Sequence, residues 1–115
     1  MPAREERIAK TESLFRSVNE RIAEASERFD AGDNGDGEFM CECADANCAE
    51  RLEVPLDEYE EVRDDATTFV LDPDHVRPDI ERIVRHGRGY AVVKKVDAVA
   101  ARIVRKLDPR SNPAQ

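Results

Sequence analysis

A chain of 115 residues, 40% hydrophobic, 38% charged and 5% aromatic, with no tryptophan and a net charge of -8, has the size of one domain with a modest core. No apolar run approaches the ~20 residues of a bilayer-spanning helix, and Met1 to Arg7 is charged where a secretory leader would be apolar, so a soluble cytoplasmic protein is expected. Acidity argues against nucleic-acid binding over the whole surface. The sum conceals a division, however: residues 1–76 hold 8 Lys and Arg against 22 Asp and Glu, and residues 77–115 hold 10 against 4. Either the two parts attract each other in the fold or the basic end meets an anionic partner.

Residues 1–29 read as one long amphipathic helix. No Gly or Pro interrupts Arg4 to Phe29, and Ile8, Phe15, Ile22 and Phe29 recur every seven residues, with Thr11, Val18 and Ala25 as a second row. Two such rows form either a face packed on the helix's own domain or a seam for a partner helix, the candidate partner face being Ile8, Phe15, Val18, Ile22 and Phe29. Residues 30–37 carry three glycines and three aspartates and read as a flexible linker. An EF-hand register fails there, because aligning either Gly35 or Gly37 with the loop glycine puts a cysteine where the bidentate glutamate belongs.

Residues 38–108 read as a compact α+β unit with a short hairpin and about three short helices. Glu38 to Cys43 is a predicted strand entering a cysteine turn, and Arg51 to Val54 its returning partner. Pro55, followed by Asp57 and Glu58, opens a short helix over 55–64 that buries Leu56, Tyr59 and Val62. Thr67 to Leu71 is a buried strand, and Asp72-Pro73-Asp74-His75 a turn. A second proline-plus-acid start at Pro78, Asp79 and Glu81 predicts a helix carrying Ile80, Ile83 and Val84 and ending at Gly87. Tyr90 to Val93 is a further strand, and Asp97 caps a last helix burying Ala100, Ile103, Val104 and Leu107. Residues 109–115 form a tail with nothing to pack against.

All three cysteines fall within Cys41-Glu42-Cys43-Ala44-Asp45-Ala46-Asn47-Cys48, a C-x-C-x4-C pattern. An odd number of thiols is a poor disulfide framework. Crowded thiolates repel, and a Zn²⁺ ion bound to all three at ~2.3 Å removes that repulsion. Asp45 and Asn47 suit the tight turn that returns Cys48 to the ion. A tetrahedral site needs a fourth ligand, and the chain has only His75 and His86. His75, in a rigid turn after a buried strand, is the better placed; His86 reads as a cation at a helix end. Glu42, alternating between cysteines, is expected to face solvent.

The cysteine spacing resembles the zinc knuckle of the post-SET segment of histone methyltransferases. That likeness covers Cys41 to Cys48 alone and implies zinc ligation without methyl transfer. A wider set, from Phe39 through the cysteines, Glu58-Tyr59, Val62-Arg63, Phe69 and His75 before Pro78, resembles a group of small uncharacterised bacterial C-x-C-x4-C...His zinc proteins. This resemblance supports His75 as a ligand and brings no activity with it.

A Cys3His site is closed, and closed zinc sites are structural. The chain has no nucleophile elbow, P-loop or dinucleotide fingerprint, and Glu42 and Asp45 are better explained as parts of the turn than as a general base. The expectation is a non-enzymatic protein-interaction or oligomerisation module with one structural zinc, binding a protein partner or a second copy through its N-terminal helix. The alternative is nucleic-acid contact through Arg82, Arg85, Arg102, Arg105 and Lys106, which recur at helical spacing but have little aromatic company. A thiol redox switch that releases the ion is a minor alternative.

Overall fold

The computed structural model describes residues 3–28 and 36–110. Its architecture is α+β. Helix α1 (Ala3–Arg28) is followed by strands β1 (Asp36–Met40) and β2 (Arg51–Pro55), helix α2 (Leu56–Val62), strand β3 (Thr68–Leu71), a 3-10 turn (Pro73–His75), strands β4 (Glu81–His86) and β5 (Ala91–Lys95), and helix α3 (Ala98–Lys106). β1 and β2 form an antiparallel hairpin with Phe39 opposite Leu52. The second sheet is antiparallel in the order β3-β5-β4. The core joins Phe39, Leu52, Val54, Tyr59, Phe69, Leu71, Ile80 and Val93 with Ile8 and Ala23 of α1 and Val104 of α3. Phe39 stacks on Tyr59, ring centres 4.3 Å apart.

The region predicted as a helix ending at Gly87 is a strand. Ile83 and Val84 are β-branched and suit the extended chain. The Gly87-Arg88-Gly89 segment closes a hairpin instead of stopping a helix, with Gly87 N–H donating to the Tyr90 carbonyl at 2.8 Å. Gly89 takes φ +81°, and a Cβ on Gly87 would fall inside the Tyr90 ring. The ladder to β5 slips between Ile83 and Arg85, so Val84 is a bulge residue, and β4, at the sheet edge, leaves Ile83 and Val84 exposed. The proline-plus-acid signal at Pro78 and Asp79 instead initiates a turn, in which Ile80 and Glu81 both donate to the Arg77 carbonyl at 2.9 Å.

The other elements stand close to their expected places. Asp97 accepts from Ala100 N–H as the cap of α3, although Leu107, expected inside, is exposed. The predicted linker overlaps β1 at Asp36 and Gly37; its remainder lies outside the described residues. The tail does pack at its first residues: Arg110 reaches Glu20 of α1 and both carboxylate oxygens of Glu60, each at 3.0 Å.

Helix α1 differs most from its sequence reading. Of the two readings, own-domain packing holds for Ile8 and Phe15, which are buried in the chain's own core, while Ile22 packs half-buried against it and Val18 is exposed; Phe29 lies outside the described residues. The buried arc is centred on Glu12, Arg16, Asn19 and Ala23, so the seven-residue row Ile8-Phe15-Ile22 runs along one border of that arc. Charged side chains occupy the middle because the sheet and loops supply partners for them. Lys95 of β5 lies 2.5 Å from Glu12 and also pairs with Glu81, all three side chains being fully enclosed. Arg16 donates to the Ala66 carbonyl at 2.6 Å and the Val104 carbonyl at 2.8 Å and lies over the Phe69 ring. Arg63 pairs with Glu20 and Asp108. Burial pushes the Glu12 carboxyl up to about 8, against the pull of Lys95.

Candidate metal centre

The site is assembled by three segments. Cys41 and Cys43 follow directly from β1, Cys48 returns through a tight turn, and His75 stands at the end of the 3-10 turn after β3. Asp45 builds the cysteine turn as expected, its side chain accepting Asn47 N–H at 2.9 Å and its carbonyl accepting Cys48 N–H at 3.0 Å. The His75 turn is fixed in the same manner. The Asp72 side chain accepts Asp74 N–H and its carbonyl accepts His75 N–H, both at 2.8 Å, and Pro73 fixes the backbone between them.

The ligand atoms of Cys41, Cys43, Cys48 and His75 all lie within 4.8 Å of one another, and among the described residues this is the one cluster of its kind. His75 Nδ1 is 3.4 Å from Cys41 Sγ and 3.7 Å from Cys48 Sγ. Tetrahedral bonds of ~2.3 Å to sulfur and ~2.0 Å to nitrogen set the sulfur–nitrogen separation near 3.5 Å, so the cage is close to metal-binding size. His86 is exposed at the far end of β4, outside the cluster.

The three thiols differ in how readily they ionise. Cys41 Sγ accepts the Asp72 N–H at 3.2 Å. The hydrogen bond from Cys41 lowers Cys43 to about 5. The same hydrogen bond, with burial, raises Cys41, and burial raises Cys48. One thiol therefore ionises readily while the other two resist, and a bound cation supplies the charge that lets all three ionise together.

Glu42 overturns its expectation. It is fully buried and ties four parts of the chain together. One carboxylate oxygen accepts Asn19 Nδ2 of α1 at 2.8 Å and the Tyr59 hydroxyl of α2 at 3.0 Å, and the other accepts Val70 N–H of β3 at 3.0 Å. Its own N–H donates to the Val70 carbonyl at 2.9 Å, so this residue caps the open edge of β3. Asn19 also brackets Met40, accepting its N–H at 2.8 Å and donating to its carbonyl at 2.9 Å. Burial raises the Glu42 carboxyl, partly offset by the Asn19 and Val70 donors. These two residues hold the backbone on either side of Cys41. Sequence reasoning missed both, since period-two alternation places Glu42 opposite Cys41 and Cys43 without saying that a helix covers that face.

The basic residues singled out for anion contact divide between two elements. Arg82 and Arg85 are exposed on β4, with Arg85 paired to Glu61 at 3.1 Å, and Arg102, Arg105 and Lys106 are exposed on α3. The helical spacing that joined Arg82 to Arg85 does not exist in a bulged strand. No helix among the described residues is long and apolar enough to cross a membrane. No protein-family model matches the chain, and neither curated proteins nor solved structures show significant similarity to it.

Proposed function

We propose that Cys41, Cys43, Cys48 and His75 hold one structural Zn²⁺ ion and that the chain is a non-enzymatic zinc-binding module that acts through contacts with other proteins. The observation that carries the first part is the convergence of three sulfurs and one imidazole nitrogen within 4.8 Å. Soft thiolate donors with one imidazole suit zinc and suit calcium or magnesium poorly. Four protein ligands fill a tetrahedron and leave no position for the water that catalytic zinc activates. Unpaired cysteines fit a reducing compartment and hence the cytoplasm.

The interaction role rests on what α1 leaves outside. Ile8 and Phe15 are committed to the core, whereas Leu14 and Val18, one helical turn apart, are 62% and 41% exposed and are the apolar residues that a protein partner or second copy would cover. Native mass spectrometry of the purified chain tests both parts. One zinc per chain is expected, lost on acidification or in Cys43→Ser; a metal-free chain, or one carrying iron and sulfide, overturns the assignment. A dimer or retained partner that disappears in Leu14→Ser/Val18→Ser supports the interaction surface, and a strictly monomeric chain that binds no protein counts against it.

A further inference from the structure

A second site lies beside the cysteine turn. The first turns of α1 face Ala44 and Ala46 across a cleft of about 450 Å³, within the range of small-molecule sites. Its lining holds four cations, Arg4, Arg7, Lys10 and Arg77, and no carboxylate; Ile8, Thr11, Ala44 and Ala46 complete it. Four cations around one cleft run against the composition of a chain whose net charge is -8. Two of them are engaged at the rim: Arg4 with Asp79 at 2.9 Å and Glu5 at 3.8 Å, and Lys10 with Glu6 at 3.2 Å. These pairs are solvent-exposed, and such pairs are weak enough to exchange for a stronger anion. The guanidiniums of Arg7 and Arg77 form no ion pair among the described residues, although the Arg77 backbone N–H donates to Glu81 at 3.1 Å and the Arg77 charge acts on Asp79. Both line the cleft, Arg7 from α1 and Arg77 from the loop after the 3-10 turn.

We propose that this cleft binds a small phosphorylated molecule of the nucleoside di- or triphosphate class. Guanidiniums brought to one cleft by two separate segments suit the paired oxygens of adjacent phosphates, and Ile8, Ala44 and Ala46 give the lining an apolar part for a nucleoside. Glu5, Glu6 and Asp79, paired with the rim cations, disfavour a longer polyanion, so a compact ligand is favoured over a nucleic-acid strand. Because Ala44 and Ala46 belong to the loop that the metal centre shapes, the cleft depends on that centre, and the test is made on protein whose metal content has been verified.

Calorimetric titration of the metal-loaded full chain with sodium pyrophosphate and with ADP, at about 50 mM salt, decides the matter. Saturable one-to-one binding is expected, tighter for ADP. Arg7→Glu and Arg77→Glu should each weaken it by about tenfold or more with the metal stoichiometry unchanged, while Arg88→Glu on the β4–β5 hairpin leaves it intact. Arg7→Gln should weaken it less than Arg7→Glu. No saturable binding, equal binding in the Arg7 and Arg77 variants, or tighter binding of a single-stranded oligonucleotide would overturn the proposal. Loss of metal in a variant would instead report on the cysteine centre.

Discussion

The cysteine turn and the buried seam between α1 and the three-stranded sheet both place charge inside a small protein, but they neutralise it differently. In the turn, the ionisable groups come from one eight-residue segment and one histidine, Cys41 Sγ accepts a backbone N–H, and a cation can supply the rest. In the seam, Glu12, Glu81, Glu20 and Asp108 are paired with Lys95, Arg63 and Arg110, most of them far apart in the sequence. Local compensation can be written into a short motif. Compensation at a distance exists only after the chain has folded. Glu42 joins the two regions, since it sits between two cysteines of the Cys3His cluster and is held by α1, α2 and β3.

The largest effect is expected at the metal centre. Removing the ion with a strong chelator, or substituting Cys43→Ser, removes a contribution on the order of 10 kcal/mol, and the expected outcome is loss of cooperative unfolding in circular dichroism. A metal-free chain that melts like the loaded one would show that the seam alone sustains the fold. Next in size is Lys95→Met, which leaves Glu12 and Glu81 enclosed without their cation. A loss of about 3–5 kcal/mol is expected in urea unfolding of the zinc-loaded protein, and a loss under 1 kcal/mol would mean that the seam tolerates unpaired carboxyls.

Glu42→Gln tests the link between the regions. The amide turns donors toward Asn19 Nδ2 or Val70 N–H, costing about 1–3 kcal/mol and loosening metal affinity by about tenfold, measured by competition with a zinc chelator. Unchanged affinity would confine Glu42 to the fold.

The pH dependence of the seam has a definite sign. The Glu12 carboxyl titrates at about 8 in the folded chain against 4.5 in its absence, so the folded state binds its proton more tightly. This contribution is fully present below pH 4.5 and is lost as pH rises through 8, at no more than about 1.4 kcal/mol per pH unit. Urea midpoints at constant zinc saturation should therefore fall less between pH 5.5 and 8 in Glu12→Gln than in the parent chain; parallel curves would show that Glu12 does not titrate there. The smallest effect is expected at Leu14→Ser on the outer face of α1, within about 0.5 kcal/mol, and a larger loss would mean that this face is covered in solution.

The legibility of the elements follows the same division. The hairpin of β1 and β2, helix α2, strand β3 and the Asp97 cap follow from local patterns of alternation, capping and β-branching, and all are present. The Cys3His cluster was readable because metal chemistry demands particular residue types at short spacing, and His75 because Pro73 and Asp72 make its turn rigid. The segment Glu81–His86 was misread because a proline followed by acids begins a turn as readily as a helix, and the difference rests on pairing with β5.

Local pattern alone specifies a long helix within residues 1–29, a C-x-C-x4-C turn and an α+β order of elements, since each depends on neighbours a few residues away. Tertiary structure alone decided which face of α1 is buried, because that depends on whether Lys95, Met40 and Val104 come close enough to satisfy Glu12, Asn19 and Arg16. It also decided that Glu42 lies inside and that Arg7 and Arg77 face one cleft. A charged side chain in a helix or strand looks the same in sequence whether water or a distant partner solvates it, and only the folded chain supplies the partner.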